Sequence, residues 1–385
     1  MQPPASLDAW MFDRLLALVH GPQRDTTFGG MHERLGEDLK PRPMGFKRLV
    51  VQCRQMYVAS HAYLLRRDPR DLELATHLFD WVLAHYRDPV HGGWWFSVTP
   101  DGSAPVDRSK DFYGHAFTLF ALGWYLRASG DARVHAVAAH TADMIEGPLA
   151  HPNGLGHWVA CGEDWTPKPG IRQQNPHMHL LEGYLSLLEA TGPLGEGGAR
   201  WVQGAERVME LVTQRFIGAD GVLGEYYTDD WAPHPEEGHR AEPGHHYEWA
   251  WLLAWAADRL GRPEALAAAK GLHRFAEGCL LPEDRVLDEV DRQGRPVKTT
   301  RRIWPGGERI KALGLFGTRE QLDRAIAALF RDYLRPDGTW VEHLNADGSP
   351  MTDYLPGTTP YHIFLALAEA RRALSAPAPA APVTA

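Results

Sequence analysis

Apolar residues recur along the chain at three- and four-residue spacing, through stretches dominated by Ala, Leu and Arg. That is the period of helices that bury one stripe. It predicts twelve helices, over 7–20, 47–66, 70–87, 111–129, 131–145, 173–192, 200–217, 243–260, 263–277, 302–317, 319–335 and 357–374. Every second helix begins near 47, 111, 173, 243, 302 and 357, a loose period of roughly 60 residues. The connections repeat too: Gly92-Gly93-Trp94-Trp95-Phe96 with Asp101-Gly102, Asn153-Gly154-Leu155, Asp220-Gly221-Val222-Leu223, and Asp337-Gly338-Thr339-Trp340 with Asp347-Gly348. Asp-Gly and Asn-Gly ahead of aromatic or β-branched residues mark tight β-hairpins. Six helical hairpins joined in this way predict an all-α double-layered ring with short β-hairpins at the connections and alternate helices lining the inside. No Pro- or Gly-rich linker divides the chain, so residues 1–374 are expected to form one domain. The Ala/Pro-rich remainder, 375–385, is expected to be disordered.

The apolar pattern breaks at the N-terminal ends of the alternate helices. Residues three or four apart share a helix face. Asn175 and His179 are four apart, and Glu182 follows three later; His245 and Glu248 are three apart, with Trp249 beside them. Trp304 and Glu308 are four apart, and Lys110 and Tyr113 three apart. Arg54 lies one turn into the first of these helices, and His362 follows Tyr361 at the start of the last. A charge on a face meant for a core is costly unless it has a partner or a task. One such residue is explained as a satisfied core group. Six alternate helices doing this at the same end predict a funnel lined by His, Glu, Arg and Trp.

Composition narrows the chemistry. The net charge of −9, without a basic run, argues against a nucleic-acid partner. Cys53, Cys161 and Cys279 are too few and too dispersed for a disulfide framework or a thiolate zinc site. The start lacks a basic region followed by an apolar stretch, and no apolar run is long enough to cross a bilayer, so a cytoplasmic protein without a membrane partner is expected. The 20 His and 14 Trp suit a carbohydrate site, because indole faces stack on sugar C–H surfaces and imidazoles carry protons. His177 and His179 are two apart and point about 200° from each other on a helix, so they cannot share an ion. An ion held by His179, His245 and His362 stays open as an alternative to a metal-free site. No Walker loop, G-x-S-x-G elbow or G-x-G-x-x-G follows a strand, and no cofactor is expected.

Six segments in order resemble the N-acylglucosamine 2-epimerase superfamily, which holds mannose isomerases, sulfoquinovose isomerases, mannose 2-epimerases and cellobiose 2-epimerases. They are Lys47-Arg48 through Gln52-Cys53-Arg54-Gln55, Lys110 to Phe117, Asn175-Pro176-His177-Met178-His179-Leu180-Leu181-Glu182, Pro243-Gly244-His245-His246-Tyr247-Glu248-Trp249, Arg302-Ile303-Trp304-Pro305 with Glu308, and Thr359-Pro360-Tyr361-His362. The resemblance implies an (α/α)6 barrel in which His245 and His362 are the acid/base pair, Asn175 and His179 a supporting or substrate-binding pair, and Arg54 a contact to sugar oxygens. Gly306-Gly307 stands where a bulkier polar residue is the family habit. Gly357, Thr358 and Thr359 stand where cellobiose-type members carry a Trp, which counts against a disaccharide.

The expected reaction is proton transfer at C2 of an open-chain aldose. His362 takes the proton and returns it to C1, His245 serves the oxygens, and Arg54 and His179 hold negative charge. Glu248 orients His245, Glu308 joins the substrate-binding set, and Tyr113, Trp249 and Trp304 form apolar walls. The same residues serve a 2-epimerase if the opposite imidazole reprotonates C2. Two other classes stay open: a glycoside hydrolase using Glu248 and Glu308, and a non-catalytic sugar binder. The expected partner is a monosaccharide, and the expected state a monomer or homodimer.

Overall fold

The computed structural model describes residues 7–375, so the tail after Ser375 lies outside the described residues. The chain opens with a helical run, α1, that passes from Leu7–Ala9 through a π-helical segment, Trp10–Leu15, into Leu16–His20. There follow α2 (Leu49–Arg66), α3 (Pro69–His85), α4 (Phe112–Ser129), α5 (Arg133–Glu146), α6 (Asn175–Thr191) and α7 (Gly198–Leu211, continued as a π turn over Val212–Phe216). The last five are α8 (Pro243–Leu260), α9 (Ala265–Gly278), α10 (Ile303–Phe316), α11 (Arg319–Asp332) and α12 (Pro360–Ser375).

The even helices form the inner layer. They are buried on every side, as in α2, where Leu49 to Ala62 is a continuous buried run. The one-stripe pattern that the spacing predicts therefore holds for the outer helices and fails for the inner ones. An inner helix packs on its neighbours and the outer layer with one side and presents polar groups to the barrel axis with the other. The outer helices α3, α5, α9 and α11 keep their charged residues toward solvent, apart from Asp71, which is buried against His20 and Arg66, and bury stripes such as Leu322, Ala325, Ala328 and Leu329.

A short strand enters each inner helix: Lys47–Arg48, Lys110–Asp111, Arg172–Gln173, Arg240–Ala241, Arg301–Arg302 and Tyr354–Pro356. Each pairs antiparallel with a strand that follows the next outer helix, and the last pairs with Arg34–Gly36 after α1, which closes the ring. The helical period places 47–48, 111, 173–174 and 302 inside helices; most of these positions are strand instead, because their backbone groups are taken by the neighbouring hairpin. Buried basic residues fix this edge. Lys47 Nζ donates to Asp25 Oδ2 at 2.7 Å and Gly29 O at 2.6 Å; Lys110 Nζ donates to Asp88 Oδ2 at 2.6 Å and Gly92 O at 2.9 Å. One turn later, Gln52, His115 and His246 each accept the backbone N–H of the same kind of hairpin, from Met31, Trp94 and Leu223. At the seam Arg371 pairs with Asp8, and Phe364 meets Phe12 edge-on. Among the described residues no helix is long and apolar enough to cross a membrane.

Candidate active site

Because all six inner helices start at the same end, their side chains meet in tiers about one turn apart. The first tier holds Tyr113, Asn175, Trp304 and Tyr361, with His245 and His362 beside them. The second holds Arg54, Phe117, His179, Glu248 and Glu308. The third, toward the middle of the barrel, holds Tyr57, Phe120, Glu182, Trp251 and Lys311.

His245 and His362 both pack against Trp304. Their ring centroids lie 4.9 and 5.6 Å from the indole, tilted by 38° and 39°. Each imidazole is held through Nδ1 by a buried carboxylate: His245 by Glu225 Oε2 at 2.8 Å, His362 by Glu308 Oε1 at 2.9 Å. Among the described residues neither Nε2 has a protein partner, so each ring keeps one nitrogen for a ligand. A carboxylate at Nδ1 fixes both tautomer and orientation.

The two rings differ in charge. Burial opposes a proton on His245, but Glu225, Glu242 and Glu248 outweigh it and raise its pKa to about 9. At His362 burial prevails over Glu308, with Arg54 and Lys311 adding to it, and the pKa falls to about 4. Near neutral pH His245 is therefore an imidazolium and His362 a neutral imidazole. Beneath them burial, then Glu308, raises Glu248 to about 8, and burial raises Glu182 to about 7. Burial also works against charge on Glu308, but Lys311 and His362 hold its pKa below the usual carboxylate value.

Arg54 stacks over Phe117 and Tyr361, at 4.3 and 4.8 Å to the centroids, and donates to Tyr113 Oη at 2.5 Å and Thr358 O at 3.2 Å. Tyr361 reaches across the axis to donate to Glu182 at 2.7 Å. His179 contacts Glu182 through Nδ1 at 3.3 Å and packs on Phe117 at 4.3 Å. Asn175 is half-buried, and its Oδ1 has no protein partner.

The structure thus brings together Arg54, Tyr113, Asn175, His179, His245, Glu248, Trp304, Glu308 and His362, with three corrections of role. Glu225, not Glu248, orients His245; it comes from the hairpin before Tyr226–Tyr227, where helical spacing carries no signal. Glu308 is fully buried between His362 and Lys311, so it supports a ring rather than lining the funnel. Trp249 is fully buried as well; it lies about 100° round the helix from Glu248, and its Nε1 donates to Gln174 Oε1 at 2.5 Å in the wall of α6. Sequence reasoning missed Glu225, Glu242 and Lys311. Lys311 and Glu242 had a signal there, their three-residue spacing from Glu308 and His245; Glu225 had none.

The remaining histidines of the motifs serve the fold. His177 turns away from His179 toward His157, with ring nitrogens 3.3 Å apart, and both nitrogens of His246 are bonded to backbone. His179, His245 and His362 form no common ion site. The groups close enough to surround an ion here are Glu225, Glu242 and His245; Glu248, Glu308 and His362; and His179, Glu182 and Glu248.

The family model for N-acylglucosamine 2-epimerase (GlcNAc 2-epimerase) matches residues 29–366. A mannose-6-phosphate isomerase of Rhizobium meliloti (strain 1021) is 31% identical, over 94% of this chain and 95% of that protein. Among solved structures, cellobiose 2-epimerase from Spirochaeta thermophila superposes with a TM-score of 0.82 at 28% identity, over 96% of this chain and 95% of that one. A D-mannose isomerase superposes with a TM-score of 0.85 over 96% of this chain and all of that one (100%); at 20% identity this is a likeness of fold.

Proposed function

Because the chain belongs to the N-acylglucosamine 2-epimerase family, we propose that it is an aldose–ketose isomerase that interconverts D-mannose, or a related free aldose, and D-fructose. The broader class, a sugar isomerase or 2-epimerase, follows from the family and the relatives. The observation that supports proton-transfer chemistry is the pair of imidazoles packed against Trp304, one raised to about 9 and the other lowered to about 4. Two titratable groups pushed apart by their surroundings are the mark of an acid and a base.

In this reading the open-chain aldose lies between the rings. Nε2 of the neutral His362 takes the C2 proton, while Nε2 of the imidazolium His245 gives a proton to the carbonyl oxygen. A cis-enediol(ate) results. The proton on His362 then goes to C1, and His245 takes back the proton from O2, which leaves the 2-ketose. No redox partner is needed, because the electron pair freed at C2 stays in the sugar and the proton lost there is balanced by one gained at C1, which His362 can exchange with solvent in between. Arg54, Tyr113 and His179 supply donors toward the charge that develops on the oxygens, and a site sheltered from water makes each donor more effective. Trp304 offers a flat apolar face to the sugar.

A free sugar fits the entrance better than a phosphorylated one. Arg48, Arg240 and Arg302 at the entry strands are already paired, with Glu33, with Glu289 and Glu237, and with Glu242 and Asp288. A cytoplasmic monomer or homodimer completes the proposal. The second reading, a 2-epimerase, draws support from the charged His245, a proton source separate from His362. Incubation with mannose in heavy water, followed by NMR, separates the readings. Fructose labelled at C1 is expected. Glucose labelled at C2 selects the epimerase, and the absence of any exchange at C2 rejects both.

A further inference from the structure

Lys311 is fully buried beneath the candidate site, three residues beyond Glu308 in α10. Its Nζ stands 2.5 Å from Glu308 Oε2, closing as an ion pair rather than as an aligned hydrogen bond, and 4.3 Å from the Trp251 ring centroid of α8. The other groups that face this pair are Glu248 from α8, Glu182 and His179 from α6, Tyr57 from α2, and Tyr361 and His362 from α12. A lysine withdrawn from water is expensive to keep, and a hydrophobic residue of similar size usually serves stability as well or better. The other oxygen of Glu308 holds His362 Nδ1 at 2.9 Å, so Lys311, Glu308 and His362 form one chain of contacts leading to the funnel.

We propose that Lys311 is a positioning residue that keeps Glu308 ionised and thereby locks His362 in the tautomer with its proton on Nδ1 and its lone pair on Nε2. An ionised carboxylate has acceptors only, so the imidazole must donate to it from Nδ1. Nε2 then carries the lone pair that the C2 proton needs. If Glu308 took up a proton, its O–H would donate to Nδ1. The one proton of the neutral ring would move to Nε2, and Nε2 could no longer act as a base. Burial and the neighbouring Glu182 and Glu248 drive Glu308 toward that protonated state, and the ammonium group in contact with it opposes them. The inference rests on the reading of His362 as the base.

Replacing Lys311 by Met removes the charge and keeps the length of the side chain. At pH 5 kcat/KM is expected to fall about 10-fold, the effect of an acidic limb moved from near 4 to about 6, and the imidazole spectrum is read at that pH. The loss should shrink as pH rises, because Glu308 then ionises unaided; the acidic limb of the pH profile should move up by about two units, the usual size of a shift when an opposite charge leaves. A merely structural role would lower activity by one factor at every pH. The 15N spectrum of the imidazoles reads the tautomer without any turnover: a proton on His362 Nδ1 is expected in the wild type and on Nε2 in Lys311→Met. Lys311→Gln serves in its place if the Met variant does not fold. A folded variant with an unmoved acidic limb and an unchanged tautomer overturns the proposal, as does a wild-type His362 protonated on Nε2. Failure of the underlying reading shows elsewhere, as undiminished activity of His362→Ala.

Discussion

His245 and His246 are neighbours in the chain with opposite tasks. His245 keeps Nε2 free and is charged by Glu225; His246 spends both nitrogens on backbone, at Glu242 O and Leu223 N–H. Glu225→Gln removes the carboxylate that leads the charges raising His245, so the alkaline limb of kcat/KM, expected near 9 in the wild type, should move to lower pH. The acidic limb, set by His362 near 4, should stay. A pH–rate profile in which both limbs move together would refute this division of roles. His246→Ala should act on stability instead: it leaves a buried N–H and a buried carbonyl unpaired, a cost of about 1–3 kcal/mol each at most. Urea unfolding checks this. The motif around Pro243-Gly244-His245 was legible in the sequence, and so was His362; which of two adjacent histidines faces the axis was settled only by the turn of α8.

Among the elements, α4 and α6 make the closest approach in the inner layer, and the sequence permits it with glycines. A Cβ on Gly123 would overlap Ser186 Oγ and come within 2.7 Å of the Leu187 nitrogen; one on Gly183 would come within 3.0 Å of Leu119 Cβ. Tyr113 and His179, one on each helix, lie edge to face at 5.0 Å above this contact. Gly123→Val should therefore force the helices apart and destabilise the protein by about 1–3 kcal/mol, the range for overpacked cores. Thermal melting gives the stability change. A kcat/KM that falls with it would show that the spacing also sets Tyr113 against Arg54, whereas an unchanged melting curve would show that the gap yields freely. The short entry strands are the other lesson at this scale. Lys47-Arg48 and Arg302 continue the helical period in sequence, but the hairpin beside each offers backbone partners and turns them into strands.

The molecule as a whole carries an unusual load of buried titratable groups, and these give its stability a maximum in pH. Burial lowers His61, His115 and His157 to about 3 and His246 and His362 to about 4, with His177 and His179 also well below the ordinary value. Each of these binds a proton in the unfolded chain near 6.5 but not in the fold, so stability falls as pH drops below 6.5. Burial raises Glu182 and Glu342 to about 7 and Glu248 to about 8, while His245 stands near 9. These hold protons in the fold that the unfolded chain releases, so stability is also lost as pH rises through 7 to 9. Between 4.5 and 6.5 the seven histidines outnumber the three glutamates, whose effect runs the other way. The melting temperature is expected to peak near pH 6.5–7. A plateau extending to pH 5 would contradict this account.

Sequence alone determined the twelve helices, their alternation and the return of polar residues at one end, because hydrophobic period and turn chemistry are local properties. It also marked His245 and His362, whose motifs sit at helix starts. Tertiary structure decided which partners make those rings an acid and a base. Glu225 arrives from a hairpin, and Glu308 and Lys311 from a third helix. The charge on an imidazole depends on distance through a low-dielectric interior, not on separation along the chain. Likewise the turn of the helix put Trp249, one residue past Glu248, into the wall, while Trp304 packs against both rings.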